Sequence, residues 1–396
     1  MQTEPTLLLG LLFVAAAAAG WLVARLTARS SRPSNESLRE DYFQGLRLLL
    51  NQQTDQALKV FTRLAEEDRN TFEAHLLVGG LFRRRGEVDR AIRIHESLLA
   101  RENLTTARRA EALHSLAQDF EKAGLFDRAE ELFNSLAEST SHRAEALRGL
   151  VSLYEQERDW DKAIAARAQL ELADKRHQRD VIPHYYCELA QTALVNGDTK
   201  TAREHLRTAR KGRHRSGRAA LMRGEIARAM GETDLAFRLL GRALERQPEL
   251  FYEVLAQMAK ASTGDAEQVR RFDDELEALI RRQPGLQKRL EVASLIEPDL
   301  PEDSGVLLRN AGRCLSPEGQ LALWLPVIGD ASSGQRLDAA GLKRIRATVI
   351  SALADSPRYR CVECGYDSRQ FNWQCPSCKR WDSTAPLDRI VLSLGS

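Results

Sequence analysis

The chain has 396 residues, 29% charged and 43% hydrophobic, with a formal net charge of +2; this is the composition of a folded protein with room for two or three domains, and it excludes bulk disorder. So small a net charge creates no global field for nucleic acid, and any such contact would have to be local. Of six cysteines, four crowd one stretch near the C-terminus.

Residues 1–6 form a short N-terminus, expected to be extracytoplasmic. Leu7 to Val23 then runs without a charge, extended to Leu26 if Arg25 snorkels. That length just spans a bilayer, so 7–26 is expected to be a transmembrane helix. The competing reading is a cleaved signal peptide, since the alanines offer a cleavage site. Against it, no Lys or Arg precedes the run and Glu4 stands there instead. Arg25, Arg29 and Arg32 follow it, and positive residues stay on the cytoplasmic side. The expectation is an uncleaved single-pass anchor with the bulk of the chain facing the cytoplasm. A polar linker, 27–38, follows.

From 39 to 283 the sequence is helical and recurs with the period of tetratricopeptide repeats. Ala57, Ala91, Ala129, Ala163, Ala202 and Ala236 mark the register at separations of 34, 38, 34, 39 and 34 residues, with four or five extra loop residues in the two longer ones. Twelve residues before each marker stands Gly45, Gly79, Ala117, Val151, Ala190 or Gly224. Small side chains at both positions let paired helices approach closely. Seven residues after each marker comes Leu64, Leu98, Leu136, Leu170, Ala209 or Ala243, expected to stack one repeat on the next. Gly86, Gly124, Gly197 and Gly231 should end first helices, and an acidic residue should start the second. Six units are clear; a seventh, near Gly264-Asp265-Ala266 with Val269 at the marker, is degenerate. The early Trp of the repeat consensus is missing throughout, and its late Pro appears only as Pro248.

Between 284 and 356 periodicity fades among Pro298, Pro301, Pro317 and Pro326, and the segment reads as a degenerate helical cap. Next comes a module at 357–387, with a tail at 388–396. Its core is Cys361-Val-Glu-Cys364 and Cys375-Pro-Ser-Cys378, two pincers separated by ten residues that can close tetrahedrally on one metal ion. Gly365 permits the positive φ such a knuckle needs, and Pro376 pre-sets the second turn. The knuckles resemble rubredoxin and the zinc ribbons. Cys361, Cys364, Cys375 and Cys378 are therefore the candidate metal ligands, for one structural zinc or iron ion that the ligands alone do not distinguish. Tyr359, Tyr366, Phe371, Trp373 and Trp381 read as the core of a module too short to fold without such a staple.

The chain shows no phosphate-cradling glycine loop, nucleophile elbow or His-Glu zinc-hydrolase helix, and a four-cysteine cage leaves no open position for substrate, so no catalytic or cofactor-binding residue is assigned and no enzyme is expected. Cys187 and Cys314 read as buried small side chains, and His184-Tyr185-Tyr186-Cys187 as a repeat's packing face. The basic run Arg207, Arg210, Lys211, Arg213, Arg215 and Arg218 reads as a solvated loop, with an acidic partner or lipid headgroups as the rival. No nucleic-acid partner is expected, because the tail's Arg358, Arg360, Arg369, Lys379 and Arg380 are offset by Glu363, Asp367 and Asp382.

The fold class is thus all-α: a tetratricopeptide-repeat superhelix with an N-terminal transmembrane helix and a small C-terminal rubredoxin-like or zinc-ribbon domain. This order of parts, with Tyr359-Arg360-Cys361 to Gly365-Tyr366 and Trp373-Gln-Cys375 to Trp381, resembles the lipopolysaccharide assembly protein B family. The resemblance implies an inner-membrane adaptor that presents the deacetylase LpxC to the protease FtsH and works with other lipopolysaccharide assembly and sensor proteins. It also places Cys361, Cys364, Cys375 and Cys378 on the family's metal tetrad, whereas 306–335, with Trp324-Leu-Pro-Val-Ile, fits the family pattern poorly. A generic scaffold for another membrane complex and a rubredoxin-type electron carrier are the alternatives, and homo-oligomerisation is left open.

Overall fold

The computed structural model describes residues 14–23, 35–67, 72–139, 142–174, 181–210, 216–262, 266–287, 289–290, 304–306 and 357–387. Contacts divide the chain into two units, Met1–Lys175 and Arg176–Ser396. In the first, a helical stretch α1 (14–23) is followed by four helix pairs. These are α2 (Asn35–Leu50) with α3 (Thr54–Glu67), α4 (Phe72–Arg85) with α5 (Val88–Leu99), α6 (Thr106–Ala123) with α7 (Phe126–Ala137), and α8 (Arg143–Glu157) with α9 (Trp160–Ala173). The second holds α10 (Ile182–Val195) with α11 (Thr199–Ala209), α12 (Gly217–Ala229) with α13 (Thr233–Arg246), a 3-10 turn at Pro248–Leu250, and α14 (Phe251–Ala261) with α15 (Ala266–Arg282). It ends in a small sheet of β1 (Tyr359–Cys361), β2 (Asp367–Ser368) and β3 (Thr384–Pro386).

The register explains the pairs. All six marker alanines are fully buried, and the residues seven further on are at most 4% exposed. A Cβ added to Gly45 would lie 2.6 Å from the Phe61 ring, and one added to Gly224 would lie 2.8 Å from Leu240. These partners reveal a further position, four residues beyond the marker, where Phe61 and Leu240 cover the glycine of their own unit, Phe133 covers Gly149 of the next, and the fourth unit carries Arg167 instead. His95 takes that place over Gly79. It is fully buried, its Nδ1 is hydrogen-bonded to Asp119, and Arg83 donates to the same carboxylate at 2.7 Å. A buried imidazole is thereby held within a paired network.

Five residues before each marker the backbone turns left-handed. Gly86, Gly124, Gly197 and Gly231 take φ of 76° to 89°, as expected, while the first and fourth units use Gln52 (60°) and Arg158 (59°). The second helices then begin on acids: Asp159 and Asp198 accept hydrogen bonds from the N–H groups of Lys162 and Thr201, and Asp89, Asp127 and Asp234 lie in first turns.

The seventh pair corrects the register. Val269 is only half-buried, and the buried series is Phe272, Leu276 and Leu279, which repeats the 0, 4, 7 spacing of the other units from a start three residues later. Of the expected transmembrane segment only 14–23 is described; those residues are helical and exposed. Among the described residues no helix is long and apolar enough to cross a membrane. Most of 284–356, including Cys314 and Trp324, and all of 388–396 lie outside the described residues.

Candidate metal centre and the surface that holds it

Strand β1 is central in the sheet, in the order β2-β1-β3, with Tyr359 opposite Ser368 on one side and Cys361 opposite Thr384 on the other, both pairings antiparallel. Each cysteine pair occupies a turn closed in the same way. The N–H of Gly365 donates to the carbonyl of Cys361 at 2.9 Å, and that of Lys379 to the carbonyl of Cys375 at 3.0 Å. Both residues are left-handed, Gly365 at φ 77° and Lys379 at 57°. Returning bonds from Cys361 N–H to Tyr366 (2.8 Å) and from Cys375 N–H to Arg380 (2.9 Å) complete two equivalent knuckles.

The four sulfurs lie within 4.8 Å of one another, with Cys361 to Cys378 and Cys364 to Cys375 each 3.7 Å apart. A tetrahedral cage with metal–sulfur bonds of about 2.3 Å needs sulfur–sulfur edges of about 3.8 Å, whereas a disulfide would bring them to about 2.0 Å. The cluster therefore fits one structural metal ion bound by four cysteines. The thiol chemistry agrees. Against desolvation, the Ser383 hydroxyl and the N–H groups of Cys364 and Glu363 hold the Cys361 thiol down to about 6. Desolvation pushes Cys378 up to about 12, and the thiols of Cys361, Cys364 and Cys375 add to it. Four crowded thiols cannot all ionise alone; a dication removes the conflict. Cys361 and Cys375 are buried, Cys364 is exposed, and Cys378 is intermediate.

The aromatic residues around the cage do more than fill a small core. Phe371 and Trp373 pack against the hydrophobic cluster of α12 to α15, and Trp381 lies 5.1 Å from the ring of His184 and 5.8 Å from that of Tyr185, both on α10. His184 Nε2 bonds Asp382 at 2.7 Å, and the Gln247 amide donates to the other oxygen of that carboxylate at 3.4 Å. Tyr359, 1% exposed, donates to Glu253 of α14 at 2.6 Å. Arg218 of α12, 6% exposed, stacks 5.2 Å above Trp373 and 5.9 Å from Trp381 while donating to Glu188 at 2.7 Å. Helices and metal module within this unit share one interface.

Three expectations change accordingly. His184 is not part of a repeat's packing face but a contact for the tail, although Cys187 is buried as expected and burial raises its thiol to about 12. Arg218 does not belong to a solvated loop; Arg207 and Arg210 are exposed, and Lys211, Arg213 and Arg215 lie outside the described residues. Tyr366, 43% exposed, is no core residue. His184, Arg218, Gln247 and Glu253 were missed because no local pattern sets them apart. The one available signal was an excess of aromatic side chains in a thirty-residue module.

Comparison with known proteins gives the following similarities. Residues 359–386 match a family described as "Rubredoxin metal binding domain", and 44–107, 114–178 and 187–260 match the tetratricopeptide repeat. The chain is 34% identical over 383 residues to lipopolysaccharide assembly protein B of Escherichia coli K12, covering 96% of this chain and 98% of that protein. It is 29% identical over 395 residues to the protein of that name from Haemophilus influenzae, with the same coverage. Among solved structures, MamA of Desulfovibrio magneticus superposes with a TM-score of 0.34 at 19% identity, covering 44% of this chain and 93% of that one, and no argument rests on it.

Proposed function

Since the chain belongs to the lipopolysaccharide assembly protein B family, we propose that it is an inner-membrane adaptor in lipopolysaccharide assembly. It is a scaffold and not an enzyme: its relatives are assembly proteins and its repeats are protein-binding modules. The similarity covers 96% of the chain, repeats and metal module included, and that continuity is the observation that carries the reading.

In this reading 7–26 spans the membrane once, the remaining chain faces the cytoplasm, and the repeats present the deacetylase LpxC to the protease FtsH. Tethering adaptor, protease and client to one surface raises their effective concentration, so weak contacts become productive. Cys361, Cys364, Cys375 and Cys378 ligate a zinc ion whose contribution is folding energy for the tail. The interface around Trp381, Asp382 and Arg218 then couples that energy to the repeats.

Affinity capture from membranes tests the reading. The protease and the deacetylase should come down with the wild-type chain, and C361S or C375S should lose metal and client together while cellular deacetylase rises. Capture of neither protein, or an unaltered deacetylase level in the cysteine variants, would refute it. Iron in place of zinc in the purified protein would favour the electron-carrier alternative.

A further inference from the structure

Arginines outnumber acids where α11, α12 and α13 meet. Arg203, Arg207, Arg210 and Arg223 line a concavity of about 210 Å³ whose apolar floor includes Ile226, Ala227 and Leu239. Its one acid, Glu232, is 3.6 Å from Arg203. None of Arg207, Arg210 and Arg223 makes an ion pair among the described residues. Arg207 and Arg210 stand at the C-terminal end of α11, where a cation suits the helix dipole. Arg223 lies inside α12 and is half-buried, so no such account covers it. Burial, and then the charges of Arg210, Arg242, Arg246 and Arg207, work against its guanidinium. A half-buried cation facing other cations is costly unless an anion joins them.

We infer that this concavity binds a phosphate group, carried by an anionic lipid headgroup or free in solution. Guanidinium forks match phosphate oxygens in pairs, and the apolar floor strengthens each contact by lowering the local dielectric. Several guanidiniums on one small concavity suit a compact anion that offers several oxygens at one centre better than an acidic peptide, whose carboxylates are spread along a chain.

The test uses the full chain in nanodiscs and phenylglyoxal, which modifies accessible arginines, with peptide mapping by mass spectrometry. In phosphatidylcholine discs, protection of Arg207, Arg210 and Arg223 by inorganic phosphate, but not by chloride at equal ionic strength, identifies a site for free phosphate. Protection only in discs containing phosphatidylglycerol identifies a headgroup site. R223Q should raise the half-protecting phosphate concentration, or the phosphatidylglycerol fraction, about tenfold. R207Q, at an exposed position, should act in the same direction even if R223Q folds poorly. Protection by neither source, equal protection by chloride, or protection by an acidic peptide alone overturns the inference.

Discussion

Replacing Arg218 by alanine should loosen the metal centre from a helix that contributes no ligand to it. The guanidinium stacks on two tryptophans of the tail, at 5.2 and 5.9 Å, and donates to Glu188 at 2.7 Å. Only the stacking reaches the tail, since Glu188 lies on α10 and its bond to Arg218 survives undocking. Stacking contributes about 0.5–2 kcal/mol. The expected loss is about 1.4 kcal/mol, or about tenfold in the undocked population. Cys361 and Cys375 are buried, so a chelator must wait for the module to open. Metal transfer from the purified full chain to a chromogenic chelator should therefore be about tenfold faster in R218A, with far-UV circular dichroism unchanged. R218K should recover only part of the difference, since an ammonium lacks the planar fork. If R218A releases metal at the wild-type rate, the module holds its ion without help from the helices, and the coupling argued above is wrong.

Three further outcomes follow from the helices. Arg158 holds φ 59° and ψ 27° at the turn where four other units use glycine; R158G should stabilise the protein by about 0.5–1 kcal/mol and G124A destabilise it by a similar amount, read as opposite shifts in Tm. In G45A the new methyl would stand 2.6 Å from the Phe61 ring, so a loss of about 1–3 kcal/mol is expected by denaturant titration, and wild-type stability would show that the helix pair is not closely packed. Burial raises the Cys187 thiol from 9.0 to about 12, so its share of stability is full below pH 9.0 and is lost as pH rises toward 12. At pH 8 Cys187 should resist iodoacetamide until the protein is denatured, as peptide mass spectrometry would show; rapid native labelling would contradict its burial.

Repeats and cysteine knuckles were legible because both are local and periodic. A close helix pair demands small residues at fixed spacings, and a tetrathiolate cage demands two tight turns, so the marker alanines and the four cysteines announce themselves in one dimension. The covering position four residues on, occupied by Phe61, His95, Phe133, Leu206 and Leu240, was less visible because what it requires is volume, which several residue types supply. For the same reason Val269 was chosen over Phe272 in the seventh pair, since only packing shows which apolar residue faces inward.

The docking of the metal module lay beyond the reach of sequence. His184 and Asp382 are separated by 198 positions, Tyr359 and Glu253 by 106, and no spacing rule connects them. The sequence by itself determined that there are helix pairs and a four-cysteine module, because backbone turns and helical periodicity are set by near neighbours. Only the tertiary structure decided that the module's tryptophans face the helices and that Arg218, by composition one more solvated cation, is buried between them. Burial and ion pairing depend on which distant surfaces meet, and that is a property of the folded chain.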